Sequence, residues 1–145
     1  MLTEKDYCDY ETCVALKELG YVGICDAYYE LTGTKEYNRD SFEILYTREF
    51  IHPDDIDRVA APLLYQAQKW LREEKGMLVD SMVFADNSID ADGKVVDRWI
   101  YYSCAILNTS TAEFIRSYDQ SDEYDTYEEA LLEGIKEAVK ILKEK

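Results

Sequence analysis

The most constraining feature of this sequence is a regular amphipathic pattern in its last third. From Tyr127 to Leu142, apolar residues recur at the i, i+3, i+4, i+7 spacing and so share one face of a helix. Thr126 precedes this run and Glu129 follows three residues later, as in a helix-capping box. We therefore predict a C-terminal helix over residues 127–143 that packs against another part of the chain. Its apolar face comprises Tyr127, Ala130, Leu131, Gly134, Ile135, Ala138, Val139 and Leu142.

Two further segments carry helix signals. Asp9 is a suitable N-cap for a helix over residues 10–19. Pro62 suits the first position of a helix over residues 62–75, because a proline lacks only an N–H that has no helical partner there. Gly76 is the expected left-handed stop of that helix.

The remaining apolar runs indicate strands. Asp92-Gly93 is a turn signal between two of them. A series of strands followed by an amphipathic helix is typical of an α+β fold. We expect one domain over residues 1–145, with an antiparallel sheet of three to five strands and helices packed mainly on one face. The segments predicted to contain strands are residues 24–37, 42–51, 77–85, 95–107 and 113–118.

The charge balance limits the choice of partners. The formal net charge is −15, with 31 Asp and Glu residues against 16 Lys and Arg residues. Direct binding to nucleic acid or to an anionic membrane is disfavoured, since both need a Lys/Arg surface. Solubility or a basic partner is favoured. The candidate interaction surface is a set of six carboxylates with no intervening Lys or Arg, namely Asp119, Asp122, Glu123, Asp125, Glu128 and Glu129.

Four cysteines and one histidine give little support for a metal centre. No two cysteines are spaced C-x-x-C, whereas a zinc site normally has closely paired ligands. The first residues lack the apolar core of a signal peptide, and no run approaches the length of a membrane span. We therefore expect reduced, structural thiols in a cytoplasmic protein, with no metal and no cofactor.

Catalytic motifs are missing from the sequence. It contains no G-x-x-x-x-G-K-[ST], no G-x-G-x-x-G and no G-x-S-x-G. His52, which is followed by Pro-Asp-Asp, suits a base with an orienting carboxylate, but a loop in which Asp54 or Asp55 caps a short helix is the favoured interpretation. An enzyme is therefore the less favoured class.

Three blocks of the sequence resemble a known pattern. They lie at residues 9–21, 61–73 and 124–131, and the last two read A-P-L-L-Y-Q-A-Q-K-W-L-R-E and Y-D-T-Y-E-E-A-L. In this order they resemble a family of small bacterial proteins associated with phages and prophages. The family's pattern is an A-P-x(n)-Q-K-W-L-R-E helix, then strands, then a T-Y-E-E-A helix. The resemblance implies a phage or prophage association, and it implies no activity or catalytic residue.

Three functions stay open at this point. The first is a non-enzymatic accessory protein that binds another macromolecule, with a protein partner; the 13 tyrosines suit such an interface. The second is an acidic mimic of nucleic acid that blocks a host nucleic-acid-binding protein. The third is a small-molecule sensor or small enzyme with a pocket between sheet and helices, lined by Trp70, Trp99, Tyr101 and His52. The sequence does not predict the oligomeric state.

Overall fold

The computed structural model describes residues 2–30, 44–119 and 122–145, and its architecture confirms the α+β class. The strand predictions at residues 31–37 and 42–43 lie outside this part of the chain. In chain order the described residues form a 3-10 turn at Glu4–Asp6, α1 Tyr10–Glu18, β1 Ile24–Glu30, β2 Ile44–Phe50, β3 Arg58–Ala60, α2 Leu64–Lys75, β4 Met77–Ile89, β5 Val95–Asn108, β6 Glu113–Arg116 and α3 Tyr127–Lys143.

The C-terminal helix α3 forms where its periodicity predicts it. Thr126 is its N-cap, and the Thr126 hydroxyl accepts a hydrogen bond from the Glu129 N–H at 3.1 Å. Gly134 allows the helix to approach the sheet closely, since a Cβ there would lie 2.7 Å from Val79 Cγ1 and 3.2 Å from Cys104 Cβ. The buried residues of α3 are Ala130, Leu131, Gly134, Ile135, Ala138 and Val139.

The helix α2 begins at Leu64 and not at Pro62, so the predicted start was wrong. The Cys8 N–H donates to the Pro62 carbonyl at 2.9 Å, and Tyr7 forms an isolated antiparallel bridge with Leu63. These contacts keep Leu63 extended as the N-cap of α2. The segment at Tyr7 and Cys8, which is distant in sequence, therefore bonds to the backbone at the two positions before α2, and the helix begins after them.

The strands form two antiparallel sheets, whereas the sequence suggested one. The described residues give the orders β2-β1-β3 and β4-β5-β6. The β4–β5 hairpin is the longest element pair, and β4 runs on to Ile89, past its predicted end at residue 85. Its turn is held by the Asp90 carboxylate, which accepts hydrogen bonds from the N–H groups of Asp92 and Lys94 at 2.9 Å each. The predicted turn is thus confirmed.

The helices join the two sheets around one hydrophobic core. α3 lies against β4 and β5, α2 lies against β4 and α3, and α1 lies against α3 and β3. Buried side chains from all three helices and from both sheets belong to a single cluster. Within the described ranges, no helix has the length and apolar character needed to cross a membrane.

Candidate interaction surfaces

The six carboxylates predicted as an interaction surface lie in different local environments. Asp122 forms an ion pair with Arg116 at 2.8 Å, and Arg116 also contacts Glu137. Although burial opposes it, hydrogen bonding to these carboxylates and to Tyr124 raises the pKa of Arg116. The backbone N–H and carbonyl of Asp119 both bond to the Ser103 hydroxyl, at 3.3 and 3.2 Å. This part of the predicted surface is therefore tied into the fold.

The remaining carboxylates surround the start of α3. Glu129 accepts a hydrogen bond from the Asp125 N–H at 3.3 Å, and Glu128 is partly exposed beside it. Carboxylates in the first turn of a helix are stabilised by its dipole, which is a structural reason for their presence. Glu123 is exposed, between Asp122 and the bridge that Tyr124 forms with Tyr102.

A cavity of about 330 Å³, which we call the tyrosine cavity, opens beside the start of α3. Tyr7 and Tyr29 form a buried aromatic floor, and the Tyr29 hydroxyl donates to the Cys8 carbonyl at 3.3 Å. Burial, together with nearby acidic groups, raises the pKa of Tyr29. Four of the lining side chains are carboxylates and one is a lysine. The lining residues are Glu4, Lys5, Tyr7, Asp9, Tyr29, Thr126, Glu128, Glu129 and Leu132.

Asp9 links this cavity to α1 and α3. Its carboxylate accepts a hydrogen bond from the Thr12 N–H at 3.0 Å and pairs with Lys136 at 3.1 Å. Although burial opposes the change, these hydrogen bonds lower the pKa of Asp9. The predicted N-cap of α1 is thereby confirmed.

The outer half of the β4–β5 hairpin carries an apolar face that the sequence analysis did not single out. In the inner half, Val79 and Cys104 lie on the face that Gly134 of α3 covers. Strand side chains alternate between faces, so the same face continues outward past the end of α3. Its outer residues, here called the hairpin face, are Val83, Ala85, Asn87, Ile89, Arg98 and Ile100, and all six are exposed.

The hairpin face differs in character from the rest of the surface. Val83 is 54% exposed and Ile100 is 65% exposed. Arg98 is its one charged residue, and no carboxylate belongs to it, although the chain has 31 acidic residues. Val95 and Val96, also exposed, follow at the bulge near the turn and extend the apolar area.

The opposite face of the hairpin is partly covered. The Phe84 and Tyr101 rings stack with centroids 5.4 Å apart, and the Tyr118 ring packs edge-on against Phe84 at 6.2 Å. Tyr118 also donates its hydroxyl to Asp80 at 3.3 Å. The segment after β6 therefore shields this side, and the hairpin face is left without an equivalent cover among the described residues.

The four residues suggested for a ligand pocket do not come together. Trp70 lies on α2, Trp99 and Tyr101 lie on β5, and His52 lies in the loop after β2. Trp70 lines a surface groove that does not include His52, which lines a different and much smaller cavity. Trp99 is exposed, whereas Tyr101 is buried under Phe84.

The sequence suggested that Asp54 or Asp55 caps a short helix after His52, and this was wrong. The loop that contains His52 forms turns and leads into a strand. His52 Nδ1 accepts a hydrogen bond from the Asp54 N–H at 3.1 Å. The Asp55 carboxylate accepts from the N–H groups of Asp57 and Arg58, at 2.8 and 2.9 Å, and so leads the chain into β3. The acidic residues of this loop therefore shape the backbone.

The cysteines are free and buried. Burial raises the pKa of each of the four thiols, as is typical of structural cysteines. In the part of the chain that the structure describes, no group of three or more His, Cys, Asp or Glu side chains is placed to hold a metal ion.

Comparison of the chain with family models, with curated proteins and with solved structures gave no match.

Proposed function

We propose that this chain is a non-enzymatic accessory protein that binds another protein through the hairpin face. The observation that carries the proposal is the exposure of a mostly apolar face, with Asn87 and Arg98 as its polar residues, on a hairpin that extends past the helix covering its inner half. Large exposed apolar patches on soluble proteins mark interaction sites. The predicted phage or prophage association and cytoplasmic location stay predictions from the sequence.

The charge distribution supports the same surface. A net charge of −15 repels other acidic macromolecules over most of the protein. The hairpin face lacks carboxylates, and charged residues are depleted at the centres of protein interfaces. Desolvation of this face therefore costs less than desolvation of the acidic surface around it.

The test compares two double variants of equal charge. Val83→Lys/Ile100→Lys places two lysines on the hairpin face, and Ile56→Lys/Tyr65→Lys places two at exposed apolar positions elsewhere. Tagged full-length protein is used to recover partners from cells of its source. We expect the same proteins to be recovered with the wild type and the control variant, and to be lost with the hairpin variant. Equal recovery with both variants would refute the proposal.

A second candidate is binding of a basic protein segment at the tyrosine cavity. Tyr7, Tyr29 and Leu132 offer an apolar floor for the stem of a Lys or Arg side chain, and Glu128 and Glu129 lie near its charged end. This candidate includes the predicted nucleic-acid mimic, because nucleic-acid-binding proteins present such basic segments.

A labelled lysine ten-mer tests this candidate by fluorescence anisotropy at low and high salt. Glu128→Gln/Glu129→Gln keeps the helix cap and removes two charges from the cavity. Glu73→Gln/Glu74→Gln removes two charges from exposed positions on α2. We expect several-fold weaker binding only for the cavity variant. Equal weakening in both would mean that binding follows net charge and not the cavity.

A further inference from the structure

The edge of β4 that faces away from β5 has features of an edge to which another strand can pair. Within the described residues, β4 has β5 on one side and no strand on the other. Near α2 this free edge is occupied by side chains. Gln68 donates its amide to the Val79 carbonyl at 2.7 Å, and the Asp80 carboxylate accepts from the Ser81 N–H at 2.9 Å.

These two bonds show which backbone groups point away from β5. In an antiparallel strand, the residues whose N–H and C=O groups face outward alternate with those that face the partner strand. Val79 and Ser81 face outward, so Val83, Ala85 and Asn87 continue the series. Tyr102, the register partner of Val83, agrees with this alternation, since it faces away from β4 and exchanges hydrogen bonds with Tyr124 at 2.9 and 3.0 Å.

The stretch from Val83 to Asn87 is therefore an open edge, in contrast to the protected edge near α2. No described residue hydrogen bonds to it from outside the hairpin. Natural edge strands are usually protected by lysine, proline, a bulge or a covering element. Here the bulge lies further out, between Ser88 and Ile89, and neither lysine nor proline occurs in β4.

We propose that two copies of this chain pair along this edge, with the two β4 strands antiparallel around a two-fold axis at Ala85. Val83 of one copy then lies opposite Asn87 of the second copy, and Ala85 lies opposite Ala85. Three such pairs exchange about six backbone hydrogen bonds. This inference rests on the proposed function, because pairing joins two hairpin faces into one larger surface for the partner that the proposed function requires.

The register fits a second copy. A strand that pairs with itself must avoid like charges at opposed positions. Over residues 82–88 the one charged residue is Asp86, and it lies opposite Phe84 of the second copy. The Asp80–Ser81 bond ends the pairing on one side and the bulge ends it on the other. The hairpin faces of the two copies then lie side by side and form one larger apolar surface, on a joined sheet.

Sedimentation equilibrium of the full chain tests this inference with proline variants on the two edges of the hairpin. Ala85→Pro removes an outward N–H from β4 but no hydrogen bond of the β4–β5 ladder. Ile100→Pro is the matched control, since Ile100 is the register partner of Ala85 and its N–H faces outward on the opposite edge. We expect Ala85→Pro to weaken dimerisation at least about tenfold and Ile100→Pro, whose N–H does not lie on the pairing edge, to weaken it much less. A larger loss of dimerisation with Ile100→Pro than with Ala85→Pro would refute pairing along this edge of β4.

A second pair of variants tests the register without proline. Val83→Lys/Asn87→Glu places a lysine opposite a glutamate at both symmetric contacts, whereas Val83→Lys/Asn87→Lys places lysine opposite lysine. We expect the first to dimerise and the second to be monomeric. Equal behaviour of both, or a wild type that is monomeric up to about millimolar concentration, would refute the inference.

Salt and partner recovery separate this inference from the proposed function. Each copy is strongly acidic, so dimerisation by this edge should strengthen as salt screens the repulsion between copies. If the wild type is monomeric but the hairpin variant still loses its recovered partners, self-pairing alone is refuted. If the hairpin variant also recovers the same partners as the wild type, the proposed function is refuted.

Discussion

The inner and outer halves of the β4–β5 hairpin have the same ladder but different surroundings. In the inner half, Ile106 and Val79 are buried beneath α3. In the outer half, Val83 and Ile100 continue the same face and are exposed. On this face of the hairpin, apolar side chains are therefore buried only as far as α3 reaches. Beyond that point they are available for contacts with other molecules.

The largest expected effect compares two isoleucines on one strand. Ile106→Ala should lower the free energy of unfolding by about 2–5 kcal/mol, because it leaves a cavity in the core. Ile100→Ala should change it by less than about 0.5 kcal/mol in the monomer, because Ile100 is largely exposed. Urea unfolding of both variants, measured by circular dichroism, checks this. Similar losses in both would show that the outer half is also part of the core.

A somewhat smaller effect is expected where α3 meets the inner half. Gly134→Ala should lower the free energy of unfolding by about 1–3 kcal/mol, since its Cβ would overlap Val79. Helix propensity alone would favour alanine by about 1 kcal/mol, so the two effects have opposite signs. A stabilised variant in chemical unfolding would mean that α3 is not held tightly against the sheet.

The boundary between the halves can be tested at Ser103, which is fully buried. Ser103→Ala removes the hydroxyl that bonds both backbone groups of Asp119, and should cost about 1 kcal/mol. Ser88→Ala, further out on the hairpin, is the control and should have little effect. Thermal unfolding of the two variants is the measurement, and equal melting temperatures would contradict the structural role of Ser103.

The smallest effect concerns pH and lies outside the hairpin. The lowered pKa of Asp9 means that its ion pair stabilises the fold above the unfolded-state pKa, and that this stability is lost as pH falls through the folded-state pKa. Asp9→Asn keeps an N-cap and removes the pair with Lys136, which is worth about 0.5 kcal/mol at this exposure. Unfolding at pH 7 should show this difference, and unfolding at about pH 2 should not. A difference independent of pH would contradict it.

Local patterns predicted much of the fold. The Thr126 cap, the apolar face of α3 from Ala130 to Val139 and the Asp92-Gly93 turn depend on neighbouring residues, and these are confirmed. Tyr127, which was predicted on the same face, is exposed. The start of α2 was wrong because Cys8 bonds to Pro62 across the chain. The division of the strands into two sheets was missed because strand pairing depends on contacts between distant segments.

The candidate sites were harder to predict. The six acidic residues stood out in the sequence, but the structure pairs Asp122 with Arg116 and places Glu128 and Glu129 at the tyrosine cavity. The hairpin face gave a weaker signal, namely apolar residues continuing along two strands that are longer than α3 can cover. The exposure of the hairpin face could not be inferred from this pattern, because alternating apolar residues normally predict a buried face.

By itself, the sequence determined the acidic charge, the α+β class and the amphipathic helix α3, because composition and periodicity are local properties. Tertiary structure decided where α3 ends on the sheet, which carboxylates are paired and which edge of β4 stays open. Burial and hydrogen bonding depend on what lies opposite a residue in space, and for Val83, Ala85 and Asn87 no described part of the chain lies opposite their outward backbone groups.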